Sequence, residues 1–137
     1  MEDAVARYRA ASEAGDVDAA LAALAHDAEL VSPISGRMVF RGHDDLRVLL
    51  SAVFASISDL HWRDETGDER LRVVVGEAAI GPLSLGEALV LDLADDGRIR
   101  RLRPYMRPWP ALTLLALKLG PRVGRHPGVV RRALRRP

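Results

Sequence analysis

Apolar and polar residues alternate along this chain with a helical period up to about residue 57 and with a strand period after it. Three helices are predicted in the first part. The first ends at Gly15, which suits a helix C-terminus, and the second begins after Asp16, a favourable N-cap residue. The third follows Gly42. Their apolar positions are Ala4, Val5, Tyr8 and Ala11, then Val17, Ala20, Leu21, Leu24 and Ala25, then Leu46, Leu49, Leu50, Val53, Phe54 and Ile57.

The second half predicts a meander of antiparallel strands. A short strand, "AELVS", precedes the third helix and is stopped by "PISG". Long strands begin near residue 59 and are separated by "TGDE", "GP" and "DDG" turns. Helices followed by such strands predict an α+β domain, with the helices packed on one face of a curved sheet.

Residues 108–137 have a different character, so we divide the chain into a main domain, 1–107, and a C-terminal part, 108–137. "WPALTLLAL" predicts an apolar helix, and a basic tail follows it. Residues 1–117 hold 13 arginines and 19 acidic residues, whereas residues 118–137 hold seven cations and no acid. The tail could bind anionic lipid or nucleic acid, or the helix could cap the mouth of the cone or pack on a partner subunit. Packing is favoured because its leucines would otherwise form an exposed apolar stripe.

The composition of the chain limits the kinds of functional site that it can form. With 48% hydrophobic and 28% charged residues, the chain has the mix of an ordinary globular protein, and it contains no cysteine. No apolar run is long enough to span a bilayer, so we expect no stable membrane insertion and a cytoplasmic location. The four histidines lack metal-ligand spacing, and no glycine-rich phosphate loop is present. We therefore expect no metal and no cofactor, and without aromatic residues in the basic segment we expect no nucleic acid partner.

The chain resembles the nuclear transport factor 2-like superfamily, which includes ketosteroid isomerases, SnoaL-like cyclases and limonene epoxide hydrolases. The resemblance lies in "ARYRAASEAGDVDAALAALAHDAELVSP", "FRGHDDLRVLL" and "DDGRIRRLRPY" and covers about residues 4–107. It implies a cone-shaped α+β barrel with three N-terminal helices on a curved sheet, a ligand pocket at its open end, and a homodimer formed through the sheet.

The resemblance also assigns residues. In ketosteroid isomerases a Tyr on the first helix donates a hydrogen bond to the developing enolate oxygen, and the matching residue is Tyr8. The general base of that family is an Asp before a Pro, where this chain has Ser32. The protonated Asp of the oxyanion hole corresponds to Leu89. With both acids replaced, steroid-type isomerisation is not expected, because losing a general base costs about 10²–10⁴ in rate.

Two other carboxylates could replace the missing base. If Leu89 faces the pocket, strand alternation places Glu87 on the same face among leucines, where burial would raise its pKa. Alternatively, Glu87 is solvated at the mouth or paired with an arginine. Asp64 shares a strand face with Leu60 and Trp62 and is a second candidate acid, unless it is a solvated strand end. The remaining ligand contacts are expected from Ser12, Ser32, Leu50, Phe54, Trp62, Leu89 and Met106.

Three functions remain open from the sequence. One is a small-molecule enzyme with Tyr8 as hydrogen-bond donor and Glu87, or less readily Asp64, as proton-transfer group, acting on an apolar carbonyl- or epoxide-bearing substrate. Another is a non-catalytic binding module for an apolar metabolite. The last is a dimeric assembly or regulatory subunit in which the cone is filled.

Overall fold

A computed structural model describes residues 3–135. Five helices and six strands follow in the order α1 (Ala4–Ala14), α2 (Val17–Ala22), β1 (Leu24–Val31), β2 (Val39–Arg41), α3 (Gly42–Ser56), β3 (Ser58–Gly67), β4 (Leu71–Ile80), β5 (Leu83–Leu93), β6 (Ile99–Arg107), α4 (Trp109–Gly124) and α5 (Pro127–Leu134).

The first two helices are delimited by the caps that the sequence predicts. Gly15 closes α1 at a φ of 70°, a conformation that costs other residues free energy. The Asp16 side chain accepts the Ala19 N–H at 3.0 Å and so caps α2. The prediction that Leu24 and Ala25 continue α2 is wrong, because both belong to β1. Both side chains are buried there, so a position in the strand removes their apolar surface from water as well as a position in the helix would.

The six strands form one curved sheet in the order β2-β1-β6-β5-β4-β3. Neighbouring strands run antiparallel except β1 and β6, which are parallel. The predicted α+β class is confirmed, but the sheet does not close into a barrel, because β2 and β3 remain its two edges. The three-residue strand β2 was not predicted, since its length gives no periodic signal.

Pro104 lies in β6, an interior strand, although a proline predicts an edge or a bulge. The paired residues of β1 and β6 end at Leu30 and Leu102. Beyond that point the side of β6 that would face β1 is locally an edge. A proline is tolerated along such a local edge, because no partner strand there requires an N–H group.

The C-terminal part forms two helices instead of one helix and a tail. Helix α4 packs against α3 and the central strands, and α5 packs against β2. The Arg132 guanidinium donates two hydrogen bonds of 2.9 Å to the buried carboxylate of Asp45 in the first turn of α3. This bidentate pair fixes α5 to the domain. None of the helices within residues 3–135 has the length and apolarity needed to cross a bilayer.

Candidate functional site

A cavity of about 430 Å³ lies between the inner face of the sheet and the helices. Helices α1 and α3 form its sides, and α4 and α5 border its open end through residues such as Leu115, Leu119 and Val130. Its volume falls within the range of small-molecule sites. The walls are almost entirely apolar, so the few polar groups that reach the cavity decide what it can do.

Glu87 is the one acidic residue among the described residues that line this cavity. Its partners on the neighbouring strands are Gly76 and Met106, and Leu85 and Leu89 flank it on the same face of β5. None of these can compensate a negative charge. Burial therefore raises the pKa of the Glu87 carboxyl from 4.5 to about 7.

Tyr8 reaches the same cavity from α1. The residue is 5% exposed, and burial, followed by the negative charge of Glu87, raises the pKa of its phenol well above the ordinary value. Tyr8 therefore stays a neutral hydrogen-bond donor. Within residues 3–135, neither the Tyr8 hydroxyl nor the Glu87 carboxyl has a hydrogen-bond partner, so both are available to a ligand.

The position of Tyr8 depends on how α1 is attached to β3. The Trp62 indole Nε1 donates to the Ser12 hydroxyl at 2.9 Å, and the Trp62 backbone N–H donates to the Glu13 carboxylate at 2.8 Å. Arg9 donates to Glu65 at 2.8 Å from the same helix. Ser12 in turn donates to the Arg9 carbonyl at 3.0 Å. Ser12 and Trp62 border the cavity, but their polar groups are occupied by this attachment.

Ser32 and Leu89 are the two residues that the resemblance to ketosteroid isomerases matches to acids. The Ser32 oxygen accepts the backbone N–H groups of Ile34 and Ser35 at 3.1 and 3.3 Å, which stabilises the turn after β1. The oxygen is therefore a poor base, although its hydroxyl proton can still be donated to a ligand. Leu89 is buried and adds only apolar surface.

Asp64 lies outside the cavity, on the outer face of the sheet. The expectation that it shares a face with Leu60 and Trp62 is wrong, because the register between β3 and β4 shifts between Trp62 and Asp64. Such a bulge inserts one residue and reverses the alternation beyond it. Position 76, opposite the bulge, has room only for a glycine, since a Cβ there would lie 2.8 Å from the Trp62 ring.

The other predicted contacts, Leu50, Phe54 and Met106, border the cavity, whereas Tyr105 points outward and is 58% exposed. Sequence reasoning missed Met38 and Phe40, which precede α3, and the contribution of α5. The apolar stripe of α4 was the one signal in the sequence that this helix would border the cavity. No comparable signal marks Met38, because its position depends on the turn that begins at Ser32.

The described residues hold no group of three or more His, Asp or Glu side chains close enough to bind a metal ion. Arg, Lys and His are also absent from the described lining of the cavity. The arrangement thus offers one carboxyl, one phenol and one serine hydroxyl in apolar surroundings.

Comparison with known proteins identifies the fold. The family described as "SnoaL-like domain" matches residues 5–102. An uncharacterized protein with a cystatin-like fold from Silicibacter pomeroyi DSS-3 has a TM-score of 0.88 at 22% identity, covering 97% of this chain and 95% of that one. No match was found among curated proteins.

Two further solved structures carry names that describe an activity. A steroid delta-isomerase from Pseudomonas aeruginosa has a TM-score of 0.80 at 22% identity, covering 91% of this chain and 92% of that chain. The epoxide hydrolase/cyclase-like enzyme SalBIII, of pyran ring formation in the polyether salinomycin, has a TM-score of 0.65 at 18% identity, covering 76% and 88%. At these identities the likeness shows a shared fold alone.

The raised pKa of Glu87 predicts a pH-dependent stability. Between about pH 4.5 and 7 the folded chain holds the Glu87 proton while the unfolded chain has lost it, so stability falls as the pH rises. The full penalty, roughly 3 kcal/mol, is present above pH 7 and absent below 4.5. The Glu87→Gln variant should therefore gain stability relative to the unsubstituted chain as the pH rises.

Urea unfolding at about pH 4.5 and about pH 8 measures this gain. Glu77→Gln is a matched control, because Glu77 is exposed and paired with Arg63 on the outer face. A difference between Glu87→Gln and the unsubstituted chain that is equal at both pH values would contradict the assignment.

Proposed function

The chain belongs to the SnoaL-like domain family, and we propose that it is a small-molecule enzyme in which Glu87 moves a proton. The observation that carries the proposal is an unpaired carboxyl with a pKa of about 7 in an apolar cavity, beside an unpaired phenol. A group with a pKa near the working pH combines a populated basic form with useful proton affinity.

The two groups divide the chemistry between them. The Tyr8 hydroxyl would donate a hydrogen bond to the substrate oxygen on which negative charge develops, in surroundings where water does not compete. The Glu87 carboxylate would remove a proton from carbon, or from a hydroxyl or water that opens an epoxide. The resulting neutral Glu87 can return that proton to the product.

The lining of the cavity limits the substrate. Because its described residues include no cation, an anionic ligand would lose its hydration without compensation. The walls favour an apolar body, and Tyr8 and Ser32 favour a carbonyl, hydroxyl or epoxide oxygen. An isomerase, cyclase or hydrolase acting on a neutral, apolar, oxygen-bearing molecule fits these demands.

Ser32 supports an alternative. Since the acid of the related isomerases is replaced there and Asp64 lies on the outer face, Glu87 would have to act without a second carboxylate. A non-catalytic module that binds an apolar metabolite through Tyr8 and Ser32 would need no base. The role of a filled assembly subunit is less well supported, because the cavity is about 430 Å³ in volume.

We also propose a homodimer through the outer face of the sheet. Cross-strand neighbours Val75, Ala88 and Tyr105 form an apolar row there, beside the pair Val73 and Val90. Val75 is 41% and Tyr105 is 58% exposed, so the row would lose unfavourable contact with water on association.

Glu87→Gln should lower kcat by about 10²–10⁴ on any substrate found among apolar enones and epoxides, because the general base is removed. For the unsubstituted chain, kcat/KM should rise with pH through about 7, as the carboxylate forms. Tyr8→Phe should also lower kcat, whereas Glu77→Gln should leave turnover unchanged.

Steady-state turnover over a pH series checks this prediction. Equal turnover by Glu87→Gln and the unsubstituted chain would refute the role of Glu87. If ligands bind, as seen by quenching of tryptophan fluorescence, and none is converted, the binding-module alternative is favoured instead.

Light scattering after gel filtration tests the dimer. The unsubstituted chain should elute at twice the chain mass, and Tyr105→Glu should elute as a monomer because it buries a charge in the interface. Trp109→Glu introduces the same charge at another exposed aromatic residue, 78% exposed on α4, and should remain dimeric. A monomeric unsubstituted chain would refute the proposal.

A further inference from the structure

The C-terminal helices form a basic surface that the proposed function does not use. Residues 118–137 carry seven cations and no acid. Lys118, Arg125, Arg131 and Arg135 are exposed, and within residues 3–135 none of their side chains lies within ion-pair distance of a carboxylate. Arg132 is different, because it is engaged by Asp45.

This surface borders the cavity mouth. Gly120 and Gly124 of α4 line the cavity and are exposed, and open space surrounds the position of a Cβ on either one. Helical periodicity places Leu117 and Pro121 next to these glycines, and Lys118 and Arg125 beyond them. Leu117 is 68% exposed, although it is a large apolar side chain.

Helix α5 repeats the pattern. Val130 lines the cavity, and Leu134, one turn later, is 54% exposed. Arg131 and Arg135 follow these two residues on the adjacent row. Both helices therefore present an exposed leucine beside the mouth and unpaired cations beside the leucine. This is the residue pattern of helices that lie on an anionic membrane surface, with apolar side chains at the acyl boundary and cations at the headgroups.

We propose that the α4–α5 surface docks on an anionic lipid bilayer, with the cavity mouth facing the lipid. The charge of residues 118–137 complements anionic headgroups, and the exposed leucines supply the apolar contact that a nucleic acid backbone would not use. Docking stands whether or not the cavity is catalytic. If the proposed function also holds, an apolar substrate dissolved in the bilayer reaches Glu87 without crossing water.

Co-sedimentation with vesicles tests the docking surface. The chain should sediment with equimolar phosphatidylcholine and phosphatidylglycerol but not with phosphatidylcholine alone. Binding should weaken in salt, because the Debye length falls from about 10 Å at 0.1 M to about 3 Å at 1 M. Leu117→Ser should reduce binding several-fold, because it removes the apolar contact.

A pair of charge-reversal variants separates this surface from net charge. Arg125→Glu/Arg131→Glu should lower the partition coefficient at least about tenfold, since each cation near an anionic surface raises that coefficient severalfold. Arg98→Glu/Arg100→Glu changes the net charge equally at exposed residues of β6 and its preceding turn, and should bind within about twofold of the unsubstituted chain. Arg132 is left unchanged in both variants, because it holds α5 in place.

Three outcomes would overturn the proposal. The unsubstituted chain fails to sediment with the anionic vesicles, or both double variants lose binding equally, which would leave only a net-charge effect. In the third outcome the chain does not bind the vesicles but binds a DNA duplex, and Arg125→Glu/Arg131→Glu weakens the DNA binding. The surface would then be a nucleic acid site. Since no substrate is needed, a failure here leaves the proposed function untouched.

Discussion

The burial of an unpaired carboxyl is the constraint on which the site depends. Glu87 extends from β5 between Gly76 and Met106, and within residues 3–135 its carboxyl forms neither an ion pair nor a hydrogen bond. The charged form is poorly solvated there, which raises the pKa to about 7 and makes proton transfer accessible near neutral pH. The rest of the fold must offset the cost of holding this group. An uncompensated penalty of this kind is typical of functional sites rather than of structural ones.

The surrounding structure keeps Glu87 and Tyr8 in one cavity. Trp62 attaches α1 to β3 through Ser12 and Glu13, which fixes the helix that carries Tyr8. At the open end, the bidentate pair between Asp45 and Arg132 holds α5. The polar contacts thus lie around the cavity, and its interior remains apolar. This division preserves both the space for a ligand and the low polarity that shifts the pKa of Glu87.

Local patterns in the sequence were sufficient for much of this. Capping residues and the change of period predicted α1, α3 and the long strands, and simple alternation along β5 placed Glu87 beside Leu89. Alternation placed Asp64 on the wrong face, because one inserted residue in β3 reverses the alternation and its position depends on pairing with β4. The fold of α5 also depends on a distant contact, since a basic segment gives little indication that Arg132 will meet Asp45.

The titration of the Glu87 carboxyl tests the central claim most directly. In a chain labelled with ¹³C at the glutamate carboxyl carbons, the Glu87 resonance is the one absent from Glu87→Gln. We predict that its chemical shift titrates with a midpoint of about 7. A midpoint at the ordinary value of 4.5 would show a solvated or paired carboxylate, and would contradict both the environment assigned to Glu87 and its role in proton transfer.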